Sequence, residues 1–169
     1  MTDVVGGLRA HVKGLRRYAM ALTRDPELVD DLVQETLRRA LTYSRKGREI
    51  RDLRAYLFTI LHNVRVDELT QNGKSGKVVP ITENAVQLTC LPTQDLRIEC
   101  REVSEALSLL SEEQREVILL IALEGLSYRD TAEILGVPIG TVMSRLNRGR
   151  EALRSMMTEG QSRNSRKAM

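Results

Sequence analysis

The stretch that decides the fold of this chain lies near its C-terminus, where residues 127–153 read SYRDTAEILGVPIGTVMSRLNRGREAL. Ser127 and Asp130 have the spacing of a capping box that begins a helix. Gly136 supplies a tight turn because glycine tolerates the positive φ that other residues resist. Pro138 can open a second helix without losing a needed amide hydrogen bond. The residues expected to hold the two helices together are Ala132, Leu135, Val137, Val142 and Leu146. The pattern predicts a helix-turn-helix, with an ordinary helical hairpin as the alternative.

The second helix of this motif has a polar and basic outer face. Residues 139–157 hold four Lys or Arg and one Asp or Glu, whereas residues 103–133 hold two and seven. Such a directional charge arrangement is expected if one face approaches a polyanion. In a helix-turn-helix the outer face of the second helix enters the major groove, where arginines position the protein and base edges supply sequence choice. The predicted DNA-binding residues are Thr141, Met143, Ser144, Arg145, Asn147 and Arg148.

The composition of the whole chain excludes several classes of protein. Its 169 residues are 41% hydrophobic but only 3% aromatic, so the core is expected to be aliphatic. No apolar run approaches the roughly 18 to 20 residues of a membrane span, and the first residues do not read as a signal peptide. A cytoplasmic location is therefore expected. Cys90 and Cys100, with no His pair beside them, predict unpaired thiols rather than a disulfide or a metal site.

Two helical blocks and a linker make up the predicted organisation, which is all-α with two small helical domains. The first domain, 1–69, contains the helical repeats DDLVQETLRRAL and LRAYLFTILHNVRVDEL, separated by a basic loop. Residues 70–94 lose all periodicity and predict a flexible linker that lets the domains change their separation. The second domain, 95–157, contains the helix-turn-helix, and 158–169 predict a disordered tail.

The combination of DLVQE at 31–35, the helix 53–69 and GTVMSRLNRGREAL at 140–153 resembles the bacterial extracytoplasmic-function sigma factors of RNA polymerase. The resemblance covers roughly residues 8–69 and 96–156. It implies that the first domain binds core polymerase and opens the −10 promoter element, and that the second reads the −35 element. It also implies an anti-sigma partner, often membrane-bound, that could recruit the chain to the inner membrane.

The resemblance assigns site residues by position. The polymerase-binding residues would be Asp31, Leu32, Val33, Gln34 and Glu35. The −10 residues would be Arg45, Lys46, Arg48, Arg51, Arg54, His62, Asn63 and Arg65, with Asp67 as an orienting residue. The predicted helix-turn-helix residues named above would read the −35 element. No ATPase motif is present, so strand opening must draw on the binding energy of a captured single strand.

The sequence departs from the family pattern at a few positions and leaves other functions open. Tyr56 stands where the family often has Trp, Met143 where it commonly has Lys or Arg, and Gly149 where it has Ala. Two alternatives are a sigma mimic that sequesters an anti-sigma factor and a simple helix-turn-helix regulator. No nucleophile–base pairing, metal cluster or phosphate loop indicates an enzyme, and no cofactor or small-molecule substrate is expected.

Overall fold

The computed structural model describes residues 2–47, 50–73 and 94–167. Within these ranges the chain forms seven α-helices and no strand, which confirms the all-α class. The helices are α1 Thr2–Thr23, α2 Pro26–Arg45, α3 Leu53–Gly73, α4 Gln94–Leu109, α5 Glu112–Ile118, α6 Tyr128–Leu135 and α7 Ile139–Lys167. A π-helical turn, Leu119–Leu123, continues α5. Most of the predicted linker, with Cys90, lies outside the described residues, as do Arg48 and the side chain of Cys100.

Three of the helices begin at a side-chain cap, and the cap at Ser127 is the predicted one. The Asp25 carboxylate accepts hydrogen bonds from the amides of Glu27 and Leu28 at the start of α2. The Ser111 hydroxyl accepts from the Gln114 amide at the start of α5, and the Ser127 hydroxyl accepts from the Asp130 amide at the start of α6. Each cap supplies a partner for amides that have none within the first helical turn. These boundaries are therefore fixed by local sequence.

Helices α1, α2 and α3, here called the N-terminal unit, pack around an aliphatic core. Leu15, Leu32 and Leu57 are fully buried in it, and each contributes roughly 1.5–3 kcal/mol by leaving water. Tyr18 and the single phenylalanine, Phe58, meet edge to face with ring centroids 5.4 Å apart. These two are the fully buried aromatic side chains of this unit.

The C-terminal unit, α4 to α7, shares that core instead of standing apart. Leu119, Leu120, Leu126 and Ile134 join the buried cluster of the N-terminal unit. A second, smaller cluster around Val117, Val142 and Leu146 holds α5 against α7. The sequence pattern predicts two separate units and does not indicate a contact between them. Within each unit the apolar helix faces already have partners to pack against, so the pattern gives no reason to expect a further interface. In this structure the two units are closed on each other.

Two helices run further than the sequence predicts. Helix α3 continues past Thr70 to Gly73, and α7 continues through residues 158–167, where a disordered tail is predicted. Once a helix is nucleated, each added residue contributes one hydrogen bond, and neither segment contains proline.

Among the residues described, no helix combines the length and apolar character needed to cross a membrane.

Candidate nucleic-acid interface

The helix-turn-helix forms with the predicted geometry. Ser127 Oγ accepts from the Asp130 amide at 3.0 Å and donates to the Asp130 carboxylate at 2.6 Å, which begins α6. Gly136 ends α6 in the left-handed region with φ +63°. The Pro138 carbonyl then accepts from the Thr141 amide at 2.9 Å as α7 starts. The inward positions Val142 and Leu146 are buried, so the motif is held as one unit.

The outer face of α7 leaves a compact set of side chains open to solvent. Met143 is 47% exposed, and Asn147 and Arg148 are exposed beside it. Ser144 is half-buried and its hydroxyl donates to the Thr141 carbonyl at 3.0 Å. Arg148 lies along the helix with Nη2 3.4 Å from Ser144 Oγ. The accessible part of the predicted −35 set is therefore Met143, Asn147 and Arg148.

Arg145, also in the predicted −35 set, is engaged within the protein. Its guanidinium lies 2.9 Å from the carboxylate of Glu113 on α5, and its side chain is only 19% exposed. This pair crosses from one helix of the C-terminal unit to another, so it orients α7 as well as neutralising one of its charges. In this structure Arg145 therefore connects α7 to α5.

The predicted polymerase-binding segment on α2 divides into exposed and buried residues. Asp31 and Gln34 are exposed, whereas Leu32 and Val33 lie in the core of the N-terminal unit at 0% and 3% exposure. Leu32 and Val33 are therefore not available as surface contacts in this structure, because consecutive helical residues point to different faces. Within the predicted segment, only Asp31, Gln34 and Glu35 lie at the surface.

Glu35 is half-buried and accepts from two arginines of its own helix. Arg38 Nε lies 2.6 Å from one carboxylate oxygen and Arg39 Nε lies 2.7 Å from the other. The hydrogen bonds from Arg38 and then Arg39 lower the pKa of Glu35 to about 2. Arg39 also reaches the carboxylate of Asp67 on α3 at 3.5 Å. This chain of ion pairs joins the predicted polymerase face to the helix that carries Asn63.

The predicted −10 residues fall into two groups. Asn63, Arg45, Lys46 and Arg51 are exposed. The other members that the structure describes, namely Arg54, His62 and Arg65, meet carboxylates of the C-terminal unit. Arg65 is even buried, since Glu112 and Glu116 surround its guanidinium. Asp67 is exposed on α3, four residues after Asn63 and thus on the same side of the helix.

Sequence reasoning missed the groups that join the two units. Glu124, Glu116 and Arg17 are central to this contact, and no motif contains them. The available signal was the pair of carboxylates in the apolar run EVILLIALEG, where buried charge requires a partner. Arg24 was missed as well: it has φ +59° between α1 and α2, and its guanidinium donates to the Ser104 carbonyl. Among the side chains described, no group of His, Cys, Asp or Glu is arranged to hold a metal ion.

A capped helix-turn-helix with an exposed polar and basic face, joined to a three-helix unit with its own polar surfaces, defines a DNA-binding transcription protein. Residues 100–153 match the family described as Sigma-70, region 4, and residues 8–62 match the Sigma2 domain of PhyR. The chain is 36% identical to the ECF RNA polymerase sigma factor EcfG of Rhodopseudomonas palustris, over 88% of this chain and 81% of that protein. It is 34% identical to SigL of Mycobacterium tuberculosis over 88% and 85% of the two chains.

Solved structures agree with the sequence relatives. The sigma factor RpoE of Bartonella quintana, solved with the anti-sigma factor NepR, superposes with a TM-score of 0.77 at 31% identity, covering 94% of this chain and 98% of that one. CnrH in complex with the cytosolic domain of CnrY gives a TM-score of 0.68 at 26% identity, covering 94% and 90%. The chain belongs to the ECF RNA polymerase sigma factor family.

Proposed function

We propose that this chain is an alternative sigma factor that binds core RNA polymerase and directs initiation at its own set of promoters. The observation that supports the proposal is that residues at both proposed contact surfaces are exposed on one chain, in the order expected for the family. Asp31 and Gln34 are exposed on α2, and Met143, Asn147 and Arg148 are exposed on the recognition helix. Relatives named as ECF sigma factors align over both units.

The two surfaces suit different partners. An acidic and amide-bearing helix face repels DNA and suits a protein helix, so α2 is proposed as the polymerase contact. The exposed amide of Asn63 can donate to and accept from a base edge, and Arg45, Lys46 and Arg51 can follow the phosphates of a separated strand. On α7, Arg148 would contact phosphate at the −35 element, while Asn147 and Met143 would face base edges.

An anti-sigma factor is the proposed inhibitory partner. The related RpoE and CnrH were solved with NepR and with the cytosolic domain of CnrY, which supports a partner of the same class here. That this partner is associated with the membrane stays a prediction.

A sigma mimic is the second candidate, and a specific match favours it. Residues 8–62 match the Sigma2 domain of PhyR, which a solved complex with NepR from Bartonella quintana names an anti-anti-sigma factor. Such a mimic does not need to bind DNA. The basic recognition helix, with Arg148, Arg150 and Arg154 exposed, favours the sigma factor.

Binding to core polymerase tests the assignment of α2. In the variant Asp31→Ala/Gln34→Ala, affinity for purified core enzyme should fall at least about tenfold, because central interface residues carry most of the binding energy. Both side chains are exposed, so helicity and melting temperature should stay unchanged.

The matched control is Glu27→Ala, which removes an exposed carboxylate from the first turn of the same helix. It should bind core polymerase like the unmodified chain. Equal affinity of the Asp31→Ala/Gln34→Ala variant and this control would remove α2 from the polymerase interface.

A further inference from the structure

The contact between the two units is electrostatically one-sided. Among the described residues, every ion pair that crosses it joins a cationic or imidazole group of the N-terminal unit to a carboxylate of the C-terminal unit. The pairs are Arg17–Glu124, Arg54–Glu124, His62–Glu116, Arg65–Glu112 and Arg65–Glu116. The acidic excess of residues 103–133 is thus placed against a basic surface of the partner unit.

Glu124 is the most completely enclosed of these carboxylates. Its side chain is 1% exposed and accepts two hydrogen bonds of 2.9 Å from Arg17, one at each oxygen. Arg54 lies 3.5 Å from the same carboxylate and donates to the Glu124 backbone carbonyl. Such a parallel pair of N–H groups on two oxygens is the geometry by which arginine also binds phosphate.

Glu116 forms the second centre of the contact. Its carboxylate oxygen Oε1 lies 3.2 Å from Nδ1 of His62 and 3.3 Å from the guanidinium of Arg65. The Glu116 side chain is 8% exposed and that of Arg65 is 9% exposed. A charge that is so poorly hydrated strongly destabilises the protein when it loses its partner. We therefore expect the two units to be either fully paired or fully separated, with no partly opened state in between.

Several basic residues of this contact also have a proposed role in binding promoter DNA. Arg54, His62 and Arg65 belong to the proposed −10 surface, and each is occupied by a carboxylate in the closed chain. Asn63, between His62 and Arg65, remains exposed. The C-terminal unit therefore covers three basic residues of the −10 surface and leaves Asn63, Arg45, Lys46 and Arg51 open.

The closed arrangement is also too small for a promoter. The −10 and −35 elements lie about 25 base pairs apart, or roughly 85 Å at ~3.4 Å per base pair. A compact chain of 169 residues has a radius of gyration of about 15 Å. The two units must separate before both elements can be bound at once.

We propose that Glu112, Glu116 and Glu124 inhibit the chain from within by standing in the place of nucleic-acid phosphates on Arg54, His62 and Arg65. This inference rests on the proposed function, because it takes the −10 surface from it. In the closed state the carboxylates neutralise the part of the −10 surface that Arg54, His62 and Arg65 form, and Arg45, Lys46 and Arg51 remain open. When the units part, the same arginines become available to phosphate, and a competing polyanion favours the open state.

Charge neutralisation at the buried carboxylates tests the inference in the full-length chain. The variant Glu116→Gln/Glu124→Gln keeps side-chain shape and removes the two enclosed charges. Its probe is a fluorescein-labelled single-stranded oligonucleotide of mixed sequence, about 12 nucleotides long. The dissociation constant should fall about tenfold or more, because the binding-competent open state becomes more populated. Small-angle scattering should show a larger radius of gyration.

The control variant Glu105→Gln/Glu133→Gln makes the same change in net charge. Both carboxylates are exposed and pair within their own helices, with Arg101 and Arg129. It should stay compact and gain little affinity. If Glu116→Gln/Glu124→Gln binds the oligonucleotide no more tightly than this control, or is equally compact, the inference is overturned.

A second variant opens the contact without changing charge. A Cβ atom at Gly14 on α1 would lie 3.1 Å from the Glu124 carboxylate, so Gly14→Leu should force the carboxylate away while favouring helix formation in α1. It should also expand the chain and tighten oligonucleotide binding. An expanded Gly14→Leu chain with unchanged affinity would contradict the inference.

Transcription with core polymerase separates this inference from the proposed function. If the unmodified chain directs no promoter-specific initiation, the proposed function fails. If it does, and the glutamine variant still binds the oligonucleotide like its control, internal inhibition alone is refuted.

Discussion

Glu35 on α2 shows how a single side chain can combine two demands. It belongs to the proposed polymerase surface, yet Arg38 and Arg39 of the same helix hold its carboxylate. The hydrogen bonds lower its pKa from 4.5 to about 2. The carboxylate is thus fixed in position and charged at physiological pH. Such a preorganised group suits the proposed contact with core polymerase.

The lowered pKa of Glu35 predicts an acid-dependent loss of stability. Because the folded state binds the proton more weakly than the unfolded state, the contribution is complete above pH 4.5 and is lost as pH falls toward about 2. In Glu35→Gln this part of the pH dependence should disappear. Its size should be at most about 1 kcal/mol, since solvent screens a partly exposed pair.

Urea unfolding at a series of pH values measures this effect as the difference in unfolding free energy between the two chains. The difference should shrink as pH falls from 4.5 toward 2. A difference that stays constant over this range would show that Glu35 does not hold its arginines in solution.

At the scale of single residues, local sequence predicted the exposure of some candidate site residues and failed at others. Asn63, Met143, Asn147 and Arg148 are exposed as expected, since helical period alone decides which face they occupy. Arg65 was expected to face DNA but is buried, because its carboxylate partners lie 47 and 51 residues away in the chain. No local pattern contains such a contact.

Among the helices, α5 and α7 approach each other unusually closely at Gly149. A Cβ atom there would lie 2.6 Å from Cδ1 of Ile118 and 3.4 Å from Cβ of Gln114. This approach accounts for glycine at a position where the sequence pattern leads one to expect alanine. It brings the recognition helix directly onto the helix that carries Glu113 and Glu116.

A double-mutant cycle tests this contact. Gly149→Ala should be destabilising by roughly 1 kcal/mol, because overlap with Ile118 outweighs the better helix propensity of alanine. Ile118→Val removes the overlapping Cδ1 atom and alone costs about 1 kcal/mol. In the Ile118→Val background, Gly149→Ala should become neutral or stabilising, as measured by thermal or urea unfolding. Additive effects of the two changes would show that the helices are further apart in solution.

Helix boundaries could be predicted where a cap or a breaker defines them. Ser127 and Gly136 defined the start and the end of α6 in advance, because each acts within a few residues of its own position. The π-helical turn Leu119–Leu123 carries no such signal, and it lies immediately before Glu124. Its i→i+5 hydrogen bond, from the Glu124 amide to the Leu119 carbonyl, is seen only in the folded chain.

For the whole molecule, the all-α class and the sigma-type helix-turn-helix could be predicted, but the closed arrangement could not. Composition and helical period are properties of segments, and they were sufficient for the two units. The shared core joins Leu119 and Leu120 to α1 and α3, and the Arg17–Glu124 pair joins residues 107 positions apart. Only the tertiary structure shows that the proposed −10 surface is partly covered.

The central claim is that this chain gives core RNA polymerase a choice of promoter. Run-off transcription with purified core enzyme, on a library of genomic fragments, tests it most directly. The account predicts discrete transcripts that require the chain and disappear in Asp31→Ala/Gln34→Ala, while Glu27→Ala supports them fully. Identical transcripts with and without a correctly folded chain would contradict it.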